Sequence, residues 1–183
     1  MKKSTLISTI AMAFLMLISI TINAQEFPKL DKSPMDASSF PSDYKEPNKL
    51  IKIIYSRPEL RGRSVEELVP KGEVWRTGAN EAAELTLYVP MKFGEVEIGA
   101  GTYTLYVISG DNEWTVIISK DLNVWGSYFY SEGNDIARLT VETSINKDSL
   151  EAFSIVFGKS EKGGINMHLG WGNTRAIVPF KYE

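Results

Sequence analysis

The sequence predicts an all-β protein: an antiparallel β-sandwich or jelly-roll-like barrel of about 8–10 short strands, with one short helix and an extended N-terminal arm. Three observations carry that expectation. From Lys49 onward, apolar residues recur with a period of two, as on a half-buried strand. Clusters of Gly, Asn and Asp interrupt the alternation at short intervals. One segment alone has helix-start chemistry, and Pro70 stops it within two turns.

The first 24 residues read as a secretory signal peptide. Lys2-Lys3 form a short positive region, Leu6 to Ile22 an apolar stretch, and Ile22-Asn23-Ala24 a cleavage site before Gln25. Cleavage near Ala24-Gln25 leaves 159 of the 183 residues and, with Lys2 and Lys3 gone, moves the formal charge from −3 to −5. With no cysteine after the apolar stretch there is no site for an N-terminal lipid, so the expected product is exported, periplasmic or secreted, with no stable membrane anchor. Residues 25–48 hold Pro28, Pro34, Pro41 and Pro47 among Ser, Asp and Lys, which predicts an extended arm. Residues 49–183 then form a single β domain.

Within that domain, Ile51, Ile53 and Tyr55 alternate with Lys52, Ile54 and Ser56. Leu85, Leu87 and Val89 alternate with Glu84, Thr86 and Tyr88, and Tyr103, Leu105 and Val107 with Thr104, Tyr106 and Ile108. Ser64 caps a short helix to Val69, with Glu67 at the position that completes a capping box. Further strands are expected at Trp114–Ser119, Ile136–Thr143, Glu151–Phe157, Ile165–Trp171 and Thr174–Phe180, with turns at Gly99–Gly101, Gly110–Asn112, Asn146–Asp148 and Gly163-Gly164. Gly172-Asn173 has the chemistry of a two-residue hairpin turn. Its register sets Trp171, Leu169, Met167 and Ile165 on the core face opposite Thr174, Ala176, Val178 and Phe180. The other face then carries His168 opposite Ile177, Gly170 opposite Arg175 and Asn166 opposite Pro179. A proline inside the last strand predicts a sheet edge, because it cannot donate to a ladder.

Composition excludes several function classes. A formal charge of −3 offers no basic excess for nucleic acid. The absence of cysteine removes disulfides, thiolate nucleophiles and cysteine-held metals, and a single imidazole, His168, excludes a site built on several histidines. No metal or cofactor is expected. Asp121, Asn123 and Glu132 have the offsets of a calcium loop, but Trp125 stands where an oxygen ligand is needed and the flanks are strands.

Candidate chemistry concentrates between Arg57 and Glu84, the least alternating part of the body. Arg57, Arg63 and Arg76 offer planar forks for carboxylate, sulfate or phosphate, Asn80 both donor and acceptor, and Glu81 a base. The competing expectation pairs Arg76 with Glu81 or Glu84 and places Trp75 in the core. Here the sequence resembles a known family. Ser56-Arg57-Pro58, Gly62-Arg63, Leu68-Val69-Pro70 and above all Val74-Trp75-Arg76-Thr77-Gly78-Ala79-Asn80-Glu81-Ala82 are similar to the signature of domain-of-unknown-function family 2911, a group of exported bacterial proteins. Gly101-Thr102-Tyr103, Trp114–Ile117, Trp125-Gly126 and Gly170-Trp171 fit the same pattern. The resemblance implies export and brings no assigned activity; it marks Arg57, Arg76, Asn80 and Glu81.

Trp125, beside Gly126 and Tyr128-Phe129-Tyr130, is the candidate aromatic platform for a sugar ring, with a loop anchor as the alternative. His168 faces away from the core. Three functional readings result. The preferred one is a small-ligand or glycan-binding accessory module using Arg57, Arg63, Trp75, Arg76, Asn80, Glu81 and Trp125. The second is a hydrolase with Glu81 as acid or base and Arg76 or Asn80 stabilising charge. The third is an interaction module that uses an edge strand.

Overall fold

The structure, a computed structural model, describes residues 25–182, so the expected signal segment at 1–24 lies outside the described residues. Residues 25–30 form no strand or helix, and the folded unit described below begins at Asp31. Ten strands follow in chain order: β1 (Met35–Phe40), β2 (Ile51–Ser56), β3 (Val74–Trp75), β4 (Ala83–Leu87), β5 (Met91–Phe93), β6 (Val96–Ile98), β7 (Gly101–Ser109), β8 (Glu113–Ser119), β9 (Asp135–Lys159) and β10 (Ile165–Lys181). All pairings are antiparallel, in one unclosed sheet of order β1-β2-β4-β7-β8-β9-β10-β5-β6, with β3 on β7. The all-β expectation holds. The single helix α1 (Val65–Leu68) is capped by Ser64 through the reciprocal bonds of a capping box with Glu67.

Part of the stretch read as an arm is a strand, since β1 lies along β2 from Met35 opposite Ser56 to Phe40 opposite Ile51. The core is the inward row of the alternating strands: Ile51, Ile53, Tyr55, Leu85, Leu87, Leu105, Val107, Val116 and Ile118 are buried against Phe153, Ile155, Met167, Leu169, Val178 and Phe180. Aromatic rings bind the early and late strands together. Trp75 stacks on Trp171 with centroids 5.6 Å apart and meets Phe153 edge-on at 4.8 Å.

The two long strands are not straight. At roughly 3.3 Å per residue, a straight β10 would separate its ends by about 55 Å. Yet a Cβ added to Gly164 would collide with the Phe180 carbonyl, and one added to Gly170 would lie 3.1 Å from Arg175 Cδ. The run therefore doubles back at Gly172-Asn173, with Gly172 at φ 52°, as the sequence register predicts. Asn173 Nδ2 donates to the carbonyls of Asn146 and Lys147, so this tip sits under an arch of β9. There Ile145 pairs with Thr174 and Leu150 with Gly172, leaving residues 146–149 as a wide bulge where the sequence predicted a turn.

The edge expected from Pro179 is corrected. β10 has neighbours on both sides, and Pro179 falls between Ala176, the end of its ladder to β9, and Phe180, the start of its ladder to β5. The missing N–H is accommodated by a gap between ladders rather than by an edge.

The β1–β2 end of the sheet approaches β9 through the segment after β2. Glu59 bridges Ala152, Phe153 N donates to Pro58 O at 2.9 Å and Leu60 N to Glu151 O at 2.9 Å. Arg57 crosses the same seam. Its Nε donates to Phe153 O at 3.0 Å and its Nη2 to Ser154 Oγ at 2.7 Å, while Nη1 pairs with Asp36 of β1 at 3.1 Å.

Candidate functional site

The candidate residues separate into three groups. Arg57 is fully occupied in the seam just described. Arg63 folds back on its own turn, with Nε on Leu60 O at 3.0 Å and Nη2 on Glu59 O at 3.3 Å, and does not join the others. Trp75 is core: its Nε1 donates to Gly78 O at 3.1 Å and the residue is buried. Arg76, Asn80, Glu81 and Trp125 do come together.

Two loops build their common site. The first follows β3 and the second follows β8, and main-chain bonds staple them side by side. Ala82 N donates to Val124 O at 3.0 Å, Gly126 N to Asn80 O at 2.9 Å, and Glu81 bridges Trp125. Ser127 Oγ adds a bond to Val74 O at 2.7 Å. The backbone here is unusually constrained. Of the four non-glycine residues with positive φ among the described residues, Thr77 (54°), Asn80 (60°) and Asn123 (56°) all belong to this pair of loops. Asn tolerates that conformation; a buried, β-branched Thr does not adopt it without a cost of about 1–3 kcal/mol. What holds Thr77 there is tertiary. Trp75 anchors Gly78, Ala83 N closes on Arg76 O at 3.0 Å, and Gly78 lies so close to β2 that a Cβ would sit 2.9 Å from Ser56 O.

Arg76 is the anomaly. Its Nε is buried without a hydrogen-bond partner, and among the described residues its guanidinium makes no ion pair, so the expected pairing with Glu81 or Glu84 is not formed. Its Nη1 lies beside Gly126, where φ is 69° and a Cβ would sit 3.1 Å from Nη1 and 2.7 Å from Tyr128 Cε2. Around that point the surface is aromatic: Trp125, Tyr128 and Phe129 are 55%, 75% and 83% exposed. Beside the loop pair a depression of about 240 Å³ is lined by Glu81, Glu84, Ser56, Thr104 and Asn123.

The second loop rests on a polar cluster on the outer face of the sheet. Tyr106 is buried edge-to-face against Tyr130 at 5.2 Å, and Tyr130 OH and Arg138 Nε both donate to Asp135 Oδ2 at 2.7 Å. Burial, with Asp121, Tyr130 and Asp135 nearby, pushes the Tyr106 hydroxyl up to about 12. Burial and its bond to Asp135 push Tyr130 up to about 12 as well. Among the described residues, no three His, Asp or Glu side chains gather to hold a metal ion.

The family described as a protein of unknown function, DUF2911, matches residues 37–180. The chain belongs to the DUF2911 family. No curated protein and no solved structure matches it. In this DUF2911 chain the block Val74–Ala82, on which the resemblance rests, divides by physical role. Trp75 fills the core, Gly78 permits contact with β2, and Asn80 takes a left-handed turn. Arg76 and Glu81 are the members of the block whose side chains have no structural employment of that kind.

Sequence reasoning missed three participants. Asp31 reaches Asn80: the Ser33 backbone N–H and then the Asn80 side chain hold the Asp31 carboxyl below its usual range. Nothing in the local sequence signals that contact. Thr77 carries strain that its residue type argues against, and Glu84 shares a depression with Glu81, which only the loop geometry brings about.

Proposed function

We propose that the protein is an exported accessory module that binds a small polar or glycan-like ligand at the paired loops, with Arg76 as donor, Glu81 as acceptor and Trp125, Tyr128 and Phe129 as the apolar platform. One observation carries this reading: a guanidinium with a buried, unpartnered Nε stands beside exposed aromatic rings on a strained backbone. A buried donor left without a partner costs about 1–3 kcal/mol, so the Nε does not explain the residue structurally, and the rest of the same guanidinium, without a hydrogen bond among the described residues, offers its N–H groups to a ligand acceptor. Flat aromatic faces supply the stacking surface that sugar rings use. Strained residues cluster where the surrounding structure holds a site ready.

The four tryptophans make the test direct. Trp75, Trp114 and Trp171 are buried and Trp125 is exposed, so a ligand at the loops changes the fluorescence of Trp125. Titration with mono- and oligosaccharides, carboxylates and nucleotides should give saturable changes for one class, absent in Arg76→Ala, and the thermal stabilisation by that class should be lost in Trp125→Ala. A ligand at 100 times its Kd adds about 2.7 kcal/mol, which raises the melting temperature by about 5–10 °C in a domain of this size. A flat response in both assays at millimolar ligand overturns the reading.

Hydrolysis is the second reading, favoured by Glu81 and Glu84 lining one depression. Export is proposed with it, and a secreted product beginning at Gln25 by mass spectrometry is its test.

A further inference from the structure

We propose that a groove on the outer face of the β9–β10 ladder is a second binding site, separate from the paired loops, and that it takes an anionic sugar carrying a carboxylate or sulfate ester. The groove has a volume of about 590 Å³, within the usual range of small-molecule sites. Its floor is the outward row of the two limbs of β10: His168 and Asn166 on the first limb, Ile177 and Pro179 on the second. The turn residues Ser160 to Gly163 form its end wall.

The local sequence explains why a groove forms there. Gly158 is the β9 residue paired with Asn166, and because it has no side chain the imidazole is uncovered: a Cβ at Gly158 would lie 3.4 Å from His168 Nε2. The turn is fixed by Gly163 and Gly164 at φ 86° and 90°, and by bonds from Ser160 N to Gly164 O at 3.1 Å and from Gly163 N to Ser160 O at 3.2 Å. Gly164 is pressed on the Phe180 carbonyl, so the end wall is anchored to the far limb of β10. The concavity is built into the backbone.

Charge identifies the occupant. Lys159, Lys162 and Lys181 line the groove, against one carboxylate, Glu161. Among the described residues none of the three lysines makes an ion pair. Lys181, paired across the ladder with Lys92, lines the groove on one side and on the other borders a depression that it shares with Lys92 and Glu97. The local sign is thus positive on a chain whose formal charge is −3. Three cations around one concavity repel one another and favour an anion among them. The floor adds what a bare anion site lacks: aliphatic surface from Ile177 and Pro179 for a ring face, and the Asn166 amide and His168 imidazole for hydroxyls. An acidic sugar presents all three kinds of group.

The sole histidine provides the assay, because in tag-free protein the imidazole proton resonances belong to His168 alone. A sulfated heparin disaccharide, inorganic sulfate and neutral cellobiose are titrated separately at low salt. The heparin disaccharide should move the His168 resonance saturably, cellobiose should leave it in place, and inorganic sulfate should bind at least about tenfold more weakly than the disaccharide. Substituting Lys159, Lys162 and Lys181 together by Ala, all exposed positions, should weaken the disaccharide by about tenfold or more. An unmoved resonance overturns the proposal, as does an equal shift in the triple variant. Equal affinity for inorganic sulfate overturns the assignment to a sugar-borne anion, and a cellobiose response overturns the charge argument.

Discussion

Arg57 and Arg76 are both arginines of the same segment, and the structure gives them opposite consequences on truncation. Arg57→Ala removes two bonds from a charged donor, to Phe153 O and Ser154 Oγ, each worth about 1.5–3 kcal/mol before allowance for exposure. It also removes an ion pair with Asp36 worth about 0–1 kcal/mol. The Arg57 side chain is 36% exposed, so water replaces part of what is lost. A net loss of about 2–4 kcal/mol follows, or about 5–15 °C in melting temperature. Arg76→Ala works the other way. Deleting a buried donor without a partner relieves a standing penalty, offset by the lost packing of the aliphatic stem, so stability should change by no more than about 1 kcal/mol in either direction. Urea unfolding of both variants, with equal m-values as the check on two-state behaviour, measures the contrast. Arg57→Lys should recover part of the loss, since a lysine can reach one partner. If Arg76→Ala falls as far as Arg57→Ala, the guanidinium is structural and the argument for a ligand at Arg76 fails.

Gly78→Ala forces a Cβ to 2.9 Å from Ser56 O and should cost about 1–3 kcal/mol by the same unfolding assay, while a loop that shifts freely would show no loss. Alkaline stability follows from Tyr106 and Tyr130. Both hydroxyls titrate near 12 in the folded chain against a usual value of 10.0, so their contribution is complete below pH 10 and is lost as pH rises from 10 to 12. The double variant Tyr106→Phe/Tyr130→Phe should flatten the fall in urea midpoint over that window, and an unchanged slope would contradict the assigned burial. Glu81→Gln should leave folding unchanged because the side chain is exposed. Were the protein to hydrolyse a chromogenic glycoside, unaltered turnover in Glu81→Gln would remove the second functional reading.

How far the sequence was legible depended on the range of the physics involved. Period two identified the inner rows of β2, β4 and β7, since one face of each strand meets the core whatever the topology. The Gly172-Asn173 tip was legible because turn chemistry is local, and so was the cap at Ser64. Short strands β3, β5 and β6 were not, because two or three residues show no period and form only when a partner strand arrives. Pro179 misled for a related reason. A missing donor implies an unpaired position, and an edge is the commonest such position, whereas a change of ladder partner along one strand supplies another.

The candidate site shows the same division more sharply. Residue type alone makes Arg57, Arg63 and Arg76 equivalent, because all three present the same fork. What separates them is which acceptors the fold brings within reach: three for Arg57 across the seam, two carbonyls of its own turn for Arg63, and none for the Nε of Arg76. A guanidinium that satisfies the structure is consumed by it, and one that the structure leaves unsatisfied retains its bonding capacity for something else. The strain at Thr77 points the same way, since Trp75, Gly78 and Ala83 hold the loop in a conformation its own residues disfavour, and the result is to keep Arg76 beside Gly126 and the exposed rings. Functional candidacy here rests on unspent capacity, a property of the folded neighbourhood rather than of residue type.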